Sequence, residues 1–284
     1  MKVLRAKTAG FCMGVSLALQ RLDRALQDRQ KPIVSLGPII HNPQVLAEYA
    51  GKGVRRIEEV GEAGRGECVI IRAHGIPRTE EARLLARGVE LVDATCPRVK
   101  AAQLAIDRAT RQGQRLLLFG EADHPEVRGL LSYANAERHV FGSLDECGAL
   151  SFAPAEACVL AAQTTQDSRQ FAAIQVFLEQ RLGGRLAILR TICDATEKRQ
   201  TEALEIAVKA DCMVVVGGGE SGNTRRLAEL AAGTGIPALR VESEKELDAA
   251  FFRGKALAGL TAGASTPKSL IDAVEFFLEN LHIY

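Results

Sequence analysis

Short β-branched apolar runs alternate with longer stretches of helical period along the whole chain, and that alternation restricts it to α/β units around parallel strands. Strands are predicted at residues 3–5, 33–36, 69–72, 89–92, 115–119, 139–141, 159–162, 186–189, 213–216, 238–241 and 256–260. Helices are predicted between them, for example at 15–27, 99–111, 169–182, 197–208, 224–232 and 269–281. Each third of the 284 residues carries a similar number of elements, although no internal sequence repeat is evident. The pattern predicts three pseudo-equivalent α/β lobes.

With 47% hydrophobic and 25% charged residues, the chain is long and apolar enough for one large core or two to three small lobes. Lys plus Arg number 36 against 35 for Asp plus Glu, so no global charge draws it to nucleic acid or to a membrane surface. Any anion site must be local. No apolar stretch reaches the roughly 20 residues that span a bilayer, and Met1-Lys-Val-Leu starts directly as strand with no targeting pattern ahead of it. A cytoplasmic protein is expected. There the seven widely spaced cysteines read as reduced thiols or metal ligands rather than a disulfide framework.

In open parallel sheets ligands collect beyond the carboxyl ends of the strands, and the residues at those positions here are rich in chemistry. The predicted strands lead into Gly37-Pro-Ile-Ile-His-Asn-Pro43, Ala73-His-Gly-Ile-Pro77 and Gly120-Glu-Ala-Asp-His-Pro-Glu126. Later ones lead into Gln163-Thr-Thr-Gln166, Gly217-Gly-Gly-Glu-Ser-Gly-Asn-Thr224 and Thr261-Ala-Gly-Ala-Ser-Thr-Pro267. Three of the five histidines, His41, His74 and His124, lie in such corners; His139 and His282 do not.

Three cysteines stand in corners as well. Cys96, in Val92-Asp-Ala-Thr-Cys-Pro-Arg-Val99, is followed by a proline suited to the first turn of a helix, which puts its sulfur near a helix N-terminus and favours a thiolate. Cys12 lies in Thr8-Ala-Gly-Phe-Cys-Met-Gly-Val15 and Cys193 in Thr191-Ile-Cys-Asp-Ala-Thr196, one cysteine per predicted unit. Cys68 and Cys212 open apolar strands, and these two, with Cys147 and Cys158, read as buried small hydrophobes. Three thiolates could bind zinc with an open fourth position, or three irons of a four-iron cluster. Sulfur-only ligation favours the iron–sulfur option without excluding zinc.

His41, His74 and His124, with helix N-termini and the hydroxyls of Ser221 and Ser265, make a compact anion pocket that needs no lysine. Gly217-x-Gly-x-x-Gly222 follows a strand and precedes a helix, and Glu242 lies 20 residues beyond Gly222, so the dinucleotide fingerprint is formally matched. Under either reading the loop binds a diphosphate through backbone N–H groups. Glu126, two residues after His124, is a carboxyl suited to proton delivery if a closed cleft sets its pKa.

Taken together, Gly10-Phe-Cys-Met-Gly14, His41-Asn, Ala73-His-Gly75, Asp93-Ala-Thr-Cys-Pro97, His124-Pro-Glu126, Gln163-Thr-Thr165, Cys193, Ser221-Gly-Asn223 and Thr261-Ala-Gly-Ala-Ser265 closely resemble the IspH or LytB family of 4-hydroxy-3-methylbut-2-enyl diphosphate reductases. The resemblance covers essentially the whole chain in the same order. It implies an α/β fold of three lobes with mainly parallel sheets, arranged as a trefoil around a central 4Fe-4S cluster. The lobes expected are 14–96, 97–193, and 194–284 with 1–13, the last carrying the N-terminal strand.

The resemblance further implies cluster ligation by Cys12, Cys96 and Cys193 with one open iron. It implies two-electron reductive dehydroxylation of the allylic diphosphate to isopentenyl and dimethylallyl diphosphate, the last step of the non-mevalonate isoprenoid pathway. The family's diphosphate-binding positions fall on His41, His74, His124, Ser221, Asn223 and Ser265, its hydroxyl-binding threonine on Thr164 and its proton donor on Glu126. Catalysis is assigned to Glu126, Thr164 and His124.

Two positions depart from the family pattern. Gly222 stands where some members carry a second serine, leaving a backbone N–H for the phosphate, and Glu220 stands where an uncharged residue is common. A carboxylate facing a diphosphate is repulsive, so Glu220 is expected to point away. Without a flavin motif or a second cluster, electrons are expected from a separate carrier such as ferredoxin or flavodoxin. The rival readings are a nicotinamide-dependent dehydrogenase and a non-enzymatic redox sensor.

Overall fold

A computed structural model describes residues 1–28 and 30–281; His282 lies outside the described residues. Within them are twelve strands in three four-stranded sheets, every pairing parallel. The chain separates into two compact units, one of residues 1–16, 40–48 and 194 onward, the other of 17–39 and 49–193.

The first unit holds the sheet ordered β1-β12-β10-β11, from β1 (Lys2–Arg5), β10 (Cys212–Val216), β11 (Ala238–Val241) and β12 (Leu257–Ala262). The earliest strand is thus an edge partner of the last, with Lys2 opposite Leu257 and Arg5 opposite Leu260. Alternate residues of β10 face opposite sides. Val214 and Val216 pack with Ile271, Val274 and Leu278 of α10 (Lys268–Glu279), while Met213 and Val215 pack with Ala203 of α8 (Asp194–Ala207) and Leu227 of α9 (Gly222–Ala232). A strand buried on both faces reads as continuous apolar sequence, as Cys212-Met-Val-Val-Val216 does.

The second unit holds two sheets. One is ordered β3-β2-β4-β5, from β2 (Ile33–Leu36), β3 (Arg55–Ile57), β4 (Cys68–Ile71) and β5 (Glu90–Asp93). The other is ordered β7-β6-β8-β9, from β6 (Arg115–Phe119), β7 (Arg138–Phe141), β8 (Cys158–Ala162) and β9 (Leu186–Ile188). In the latter Leu117, Phe119, Leu160 and Ala162 face α7 (Ser168–Leu182), and Leu116, Leu118 and Ala161 face α4 (Pro97–Thr110) and α5 (Pro125–Leu131). α1 (Met13–Asp28) and α2 (Pro43–Gly51) follow β1 and β2 along the chain, and α3 (Arg78–Ala86) and α6 (Leu144–Gly148) follow β4 and β7.

Eleven strands match predicted ones to within two residues at each end. β3 was not predicted, because Arg55-Arg-Ile57 offers one apolar residue and its two arginines are exposed at the sheet edge. No helix among the described residues is long and apolar enough to cross a membrane.

Candidate active site

In the first unit Cys12 stands just before α1. Its N–H donates to the Ala264 carbonyl at 3.1 Å, its carbonyl accepts from Ser16 at 3.0 Å, and its Sγ accepts the Val15 N–H at 3.5 Å, so the sulfur closes the first helical turn. The buried Arg199 of α8 donates to the Ala262 carbonyl at 2.8 Å and to the Gly10 carbonyl at 3.0 Å, tying the Cys12 loop to the end of β12. Nothing in Glu197-Lys-Arg-Gln200 singles this arginine out. Its role is a long-range contact to backbone.

His41, Ser265 and the glycine loop converge in the same unit. Ser265 Oγ donates to the His41 carbonyl at 3.0 Å, and a Cβ on Gly218 would lie 2.8 Å from that oxygen. The backbones meet there because the glycines allow it. Gly217 has φ +152°, and a Cβ on it would come within 2.6 Å of Thr224 Oγ1.

Ser221 caps α9, its Oγ accepting the Thr224 N–H at 3.3 Å, which leaves the first N–H groups of the helix, Gly222 included, for an anion. Asn223 adds a donor. Its Nδ2 is buried and has no hydrogen-bond partner among the described residues, as a group that serves a ligand would be. Glu220 is exposed. Glu242 does not stand open for a ribose: its Oε1 accepts the Gly219 N–H at 2.5 Å.

The second unit gathers His74, Cys96, His124, Glu126, Thr164 and Cys193. Gly75 turns the chain after β4 with φ +71°, and its Cβ position lies 2.8 Å from Gln103 Nε2, so glycine is required beside His74. The His74 and His124 rings meet edge to face, centroids 5.3 Å apart. His124 caps α5, its Nδ1 accepting the Glu126 N–H at 3.1 Å, which leaves Nε2 to carry the proton of the neutral ring. Pro125 starts the helix.

That turn aims Glu126 inward, where it is 2% exposed. Its Oε1 accepts the Thr164 N–H at 2.6 Å and its Oε2 the Thr164 Oγ1 hydroxyl at 2.9 Å. Burial pushes the carboxyl up to about 7, although both hydrogen bonds favour the ionised form. It is an acid that holds its proton near neutrality.

The Thr164 carbonyl accepts the Cys193 N–H at 2.9 Å, and Thr191 Oγ1 both donates to the Ala162 carbonyl at 2.7 Å and accepts the Ala162 N–H at 2.8 Å. These bonds lash the Cys193 segment to the end of β8. Cys96 occupies the cap of α4 ahead of Pro97, and its N–H donates to the Ala73 carbonyl at 2.9 Å.

The chemistry of the cysteines sorts them into two groups. Cys12, Cys96 and Cys193 are partly accessible and immediately precede helices, where the positive end of the backbone dipole faces a sulfur. Cys68, Cys147, Cys158 and Cys212 are buried, and burial pushes the thiols of Cys147, Cys158 and Cys212 up to about 11. Accessible and at helix starts, the first group is placed for metal–sulfur ligation, whereas the other four sit in the apolar cores.

A family model described as LytB protein matches residues 3–279. The chain is 57% identical over 281 residues to a 4-hydroxy-3-methylbut-2-enyl diphosphate reductase of Nitratidesulfovibrio vulgaris, covering 99% of this chain and 100% of the relative. A reductase of the same name from Geobacter sulfurreducens is 43% identical, covering 96% and 95%.

Among solved structures, the E-1-hydroxy-2-methyl-but-2-enyl-4-diphosphate reductase from Plasmodium falciparum superposes with a TM-score of 0.94 at 26% identity, covering 98% of this chain and 88% of that one. A second, of (E)-4-hydroxy-3-methyl-but-2-enyl diphosphate reductase, the terminal enzyme of the non-mevalonate pathway, gives 0.66 at 35% identity and covers 98% of this chain and 99% of that one. With a family match that runs nearly end to end and relatives more than half identical along their whole length, the chain belongs to the LytB family.

Proposed function

We propose that this chain is an iron–sulfur oxidoreductase that converts 4-hydroxy-3-methylbut-2-enyl diphosphate to isopentenyl diphosphate and dimethylallyl diphosphate, the final step of the non-mevalonate isoprenoid pathway. The observation that carries the proposal is the buried Glu126–Thr164 pair, a proton-holding carboxyl in contact with a hydroxyl, in a chain whose relatives bear that enzyme's name. The reaction consumes two electrons and two protons. The allylic C–O bond breaks, the oxygen departs as water, and a C–H bond forms at either end of the allyl unit.

Cys12, Cys96 and Cys193 would hold a 4Fe-4S cluster. With one iron free of protein ligands, the bound cluster supplies the electrons and a Lewis-acid position. His41, His74, His124, Ser221, Gly222, Asn223 and Ser265 would hold the diphosphate, the first three as imidazole donors and the rest through hydroxyl, amide and helix N–H groups.

Glu126, His124 and Thr164 handle the leaving oxygen. A protonated Glu126 donates to Thr164 Oγ1 across the 2.9 Å contact, and the threonine hydroxyl is then free to donate to the substrate oxygen. Fixing the diphosphate fixes the hydroxymethyl group, which lowers the entropic part of the barrier.

Electrons would come from a small carrier of the ferredoxin or flavodoxin class, in the cytoplasm. The three-lobe division at 14–96, 97–193 and 194–284 with 1–13 is proposed likewise; each of the three sheets draws its strands from one of these segments.

Protein purified without oxygen tests the reading. About four iron and four acid-labile sulfide per chain, with turnover of the allylic diphosphate to both products under reduced methyl viologen, are expected. A cluster without affinity for the allylic diphosphate would leave a redox sensor instead.

A further inference from the structure

The segment from Gly217 to Ser221 leaves β10 and enters α9, and its middle residue, Gly219, is held through both its N–H and its carbonyl. Glu242 Oε1 accepts the Gly219 N–H at 2.5 Å, and Arg240 Nη1 donates to the Gly219 carbonyl at 3.2 Å. Between these two residues Val241 accepts the Gly217 N–H at 2.8 Å, continuing the ladder in which Val216 lies opposite Val241. Three consecutive residues at the end of β11 therefore hold the loop backbone at three points.

The hold is passed on. The Ser221 N–H donates to the Gly218 carbonyl at 3.0 Å, so the position of the Gly218–Gly219 segment fixes where the Ser221 cap and the N–H groups of α9 stand. Gly219 itself is confined, since a Cβ there would lie 3.2 Å from Glu242 Oε1. With its N–H engaged by Glu242, Gly219 is also not an open phosphate donor.

A carboxylate beside an anion-binding loop repels the anion through space. Its benefit must come through the backbone it holds.

Resting on the reductase reading, which supplies the diphosphate, we infer that Glu242 is a positioning residue, assisted by Arg240, that sets Ser221, Gly222 and Asn223 for the substrate's diphosphate. The acid that the glycine spacing marks as a ribose ligand acts as a clamp on the loop instead.

The test uses holoenzyme and two probes, inorganic diphosphate by titration calorimetry and the allylic diphosphate under reduced methyl viologen. Glu242→Ala is expected to weaken diphosphate binding and raise KM by about tenfold each, the loss of one charge-assisted hydrogen bond, with kcat within about twofold and iron content unchanged. Glu242→Gln keeps an oxygen acceptor and is expected to restore both to within about twofold of native. Arg240→Ala, at an exposed position, is expected to give a smaller rise in the same direction.

Unchanged or tighter diphosphate binding in Glu242→Ala overturns the inference, as does a Gln variant no better than Ala. Should Glu242→Ala fail to fold, the Gln and Arg240 variants decide: native affinity in Arg240→Ala together with weak affinity in Gln overturns it. If the native chain binds diphosphate yet does not turn over the allylic substrate, the reductase reading fails and calorimetry still judges the clamp. Absence of diphosphate binding by the native chain ends both.

Discussion

Thr164 meets Glu126 twice, through its amide at 2.6 Å and its hydroxyl at 2.9 Å, so a single residue clasps both oxygens of a buried carboxyl. The clasp orients the acid and sets one of its oxygens against the threonine hydroxyl.

The rate should follow that proton. With the carboxyl pushed up to about 7 by burial, kcat is expected to be level below pH 7 and to fall about tenfold per unit above it. Glu126→Gln should lower kcat by about 10²- to 10⁴-fold with substrate affinity retained. A variant with near-native turnover would remove Glu126 from proton delivery.

Stability should carry the same signature in the cluster-free protein. A carboxyl whose folded pKa is raised from 4.5 to about 7 contributes stability that is full below 4.5 and lost as pH rises through 7. The loss is roughly 3 kcal/mol. Urea denaturation at pH 5 and pH 8 should show it in the native chain and not in Glu126→Gln.

Iron content should separate the two kinds of cysteine. Cys12→Ser, Cys96→Ser and Cys193→Ser are each expected to lose most of their iron and sulfide, while Cys68→Ala and Cys212→Ala, which open buried strands, keep native amounts per folded chain. Retention of iron in all three serine variants would refute the ligand set.

Asn223→Ala should cost binding without costing the fold. Its Nδ2 has no hydrogen-bond partner among the described residues, so thermal melting of the ligand-free protein is expected to be unchanged. Diphosphate affinity, read by calorimetry, should drop about 10- to 100-fold. A lowered melting temperature with native affinity would assign the side chain to structure.

Glu220→Gln is expected to leave substrate affinity within about twofold at fixed pH, because the exposed carboxylate is screened by water. A marked gain in affinity would mean that the charge faces the diphosphate.

Most of this was legible locally. Val69-Ile-Ile71 and Leu116-Leu-Leu-Phe119 announce buried parallel strands by composition, and the residues that follow such strands are where His74, His124 and Glu126 sit. Arg55-Arg-Ile57 was not legible as a strand, since its pairing with β2 comes from the neighbouring strand and not from an apolar period of its own. Arg199, Thr191 and Glu242 were not legible as supports either. Each acts on backbone groups far along the chain or across a sheet, and such partners leave no periodic trace. The height of the Glu126 pKa was likewise beyond the sequence, because burial is a tertiary property.

The edge pairing of β1 with β12 has a consequence in time. β1 ends at Arg5 and its partner begins at Leu257, so at translation rates of about 5–20 residues per second the first strand waits on the order of ten to fifty seconds for its ladder. Both sheets of the second unit draw only on strands already made by Ile188. The earliest-made strand is therefore among the last to be seated, and Cys12, which follows it, is anchored to Ala264 only when the far end of the chain has emerged. On the proposed ligand set, loading of iron and sulfur becomes a property of the finished polypeptide, and a ribosome-stalled fragment lacking the last thirty or so residues could not complete the site.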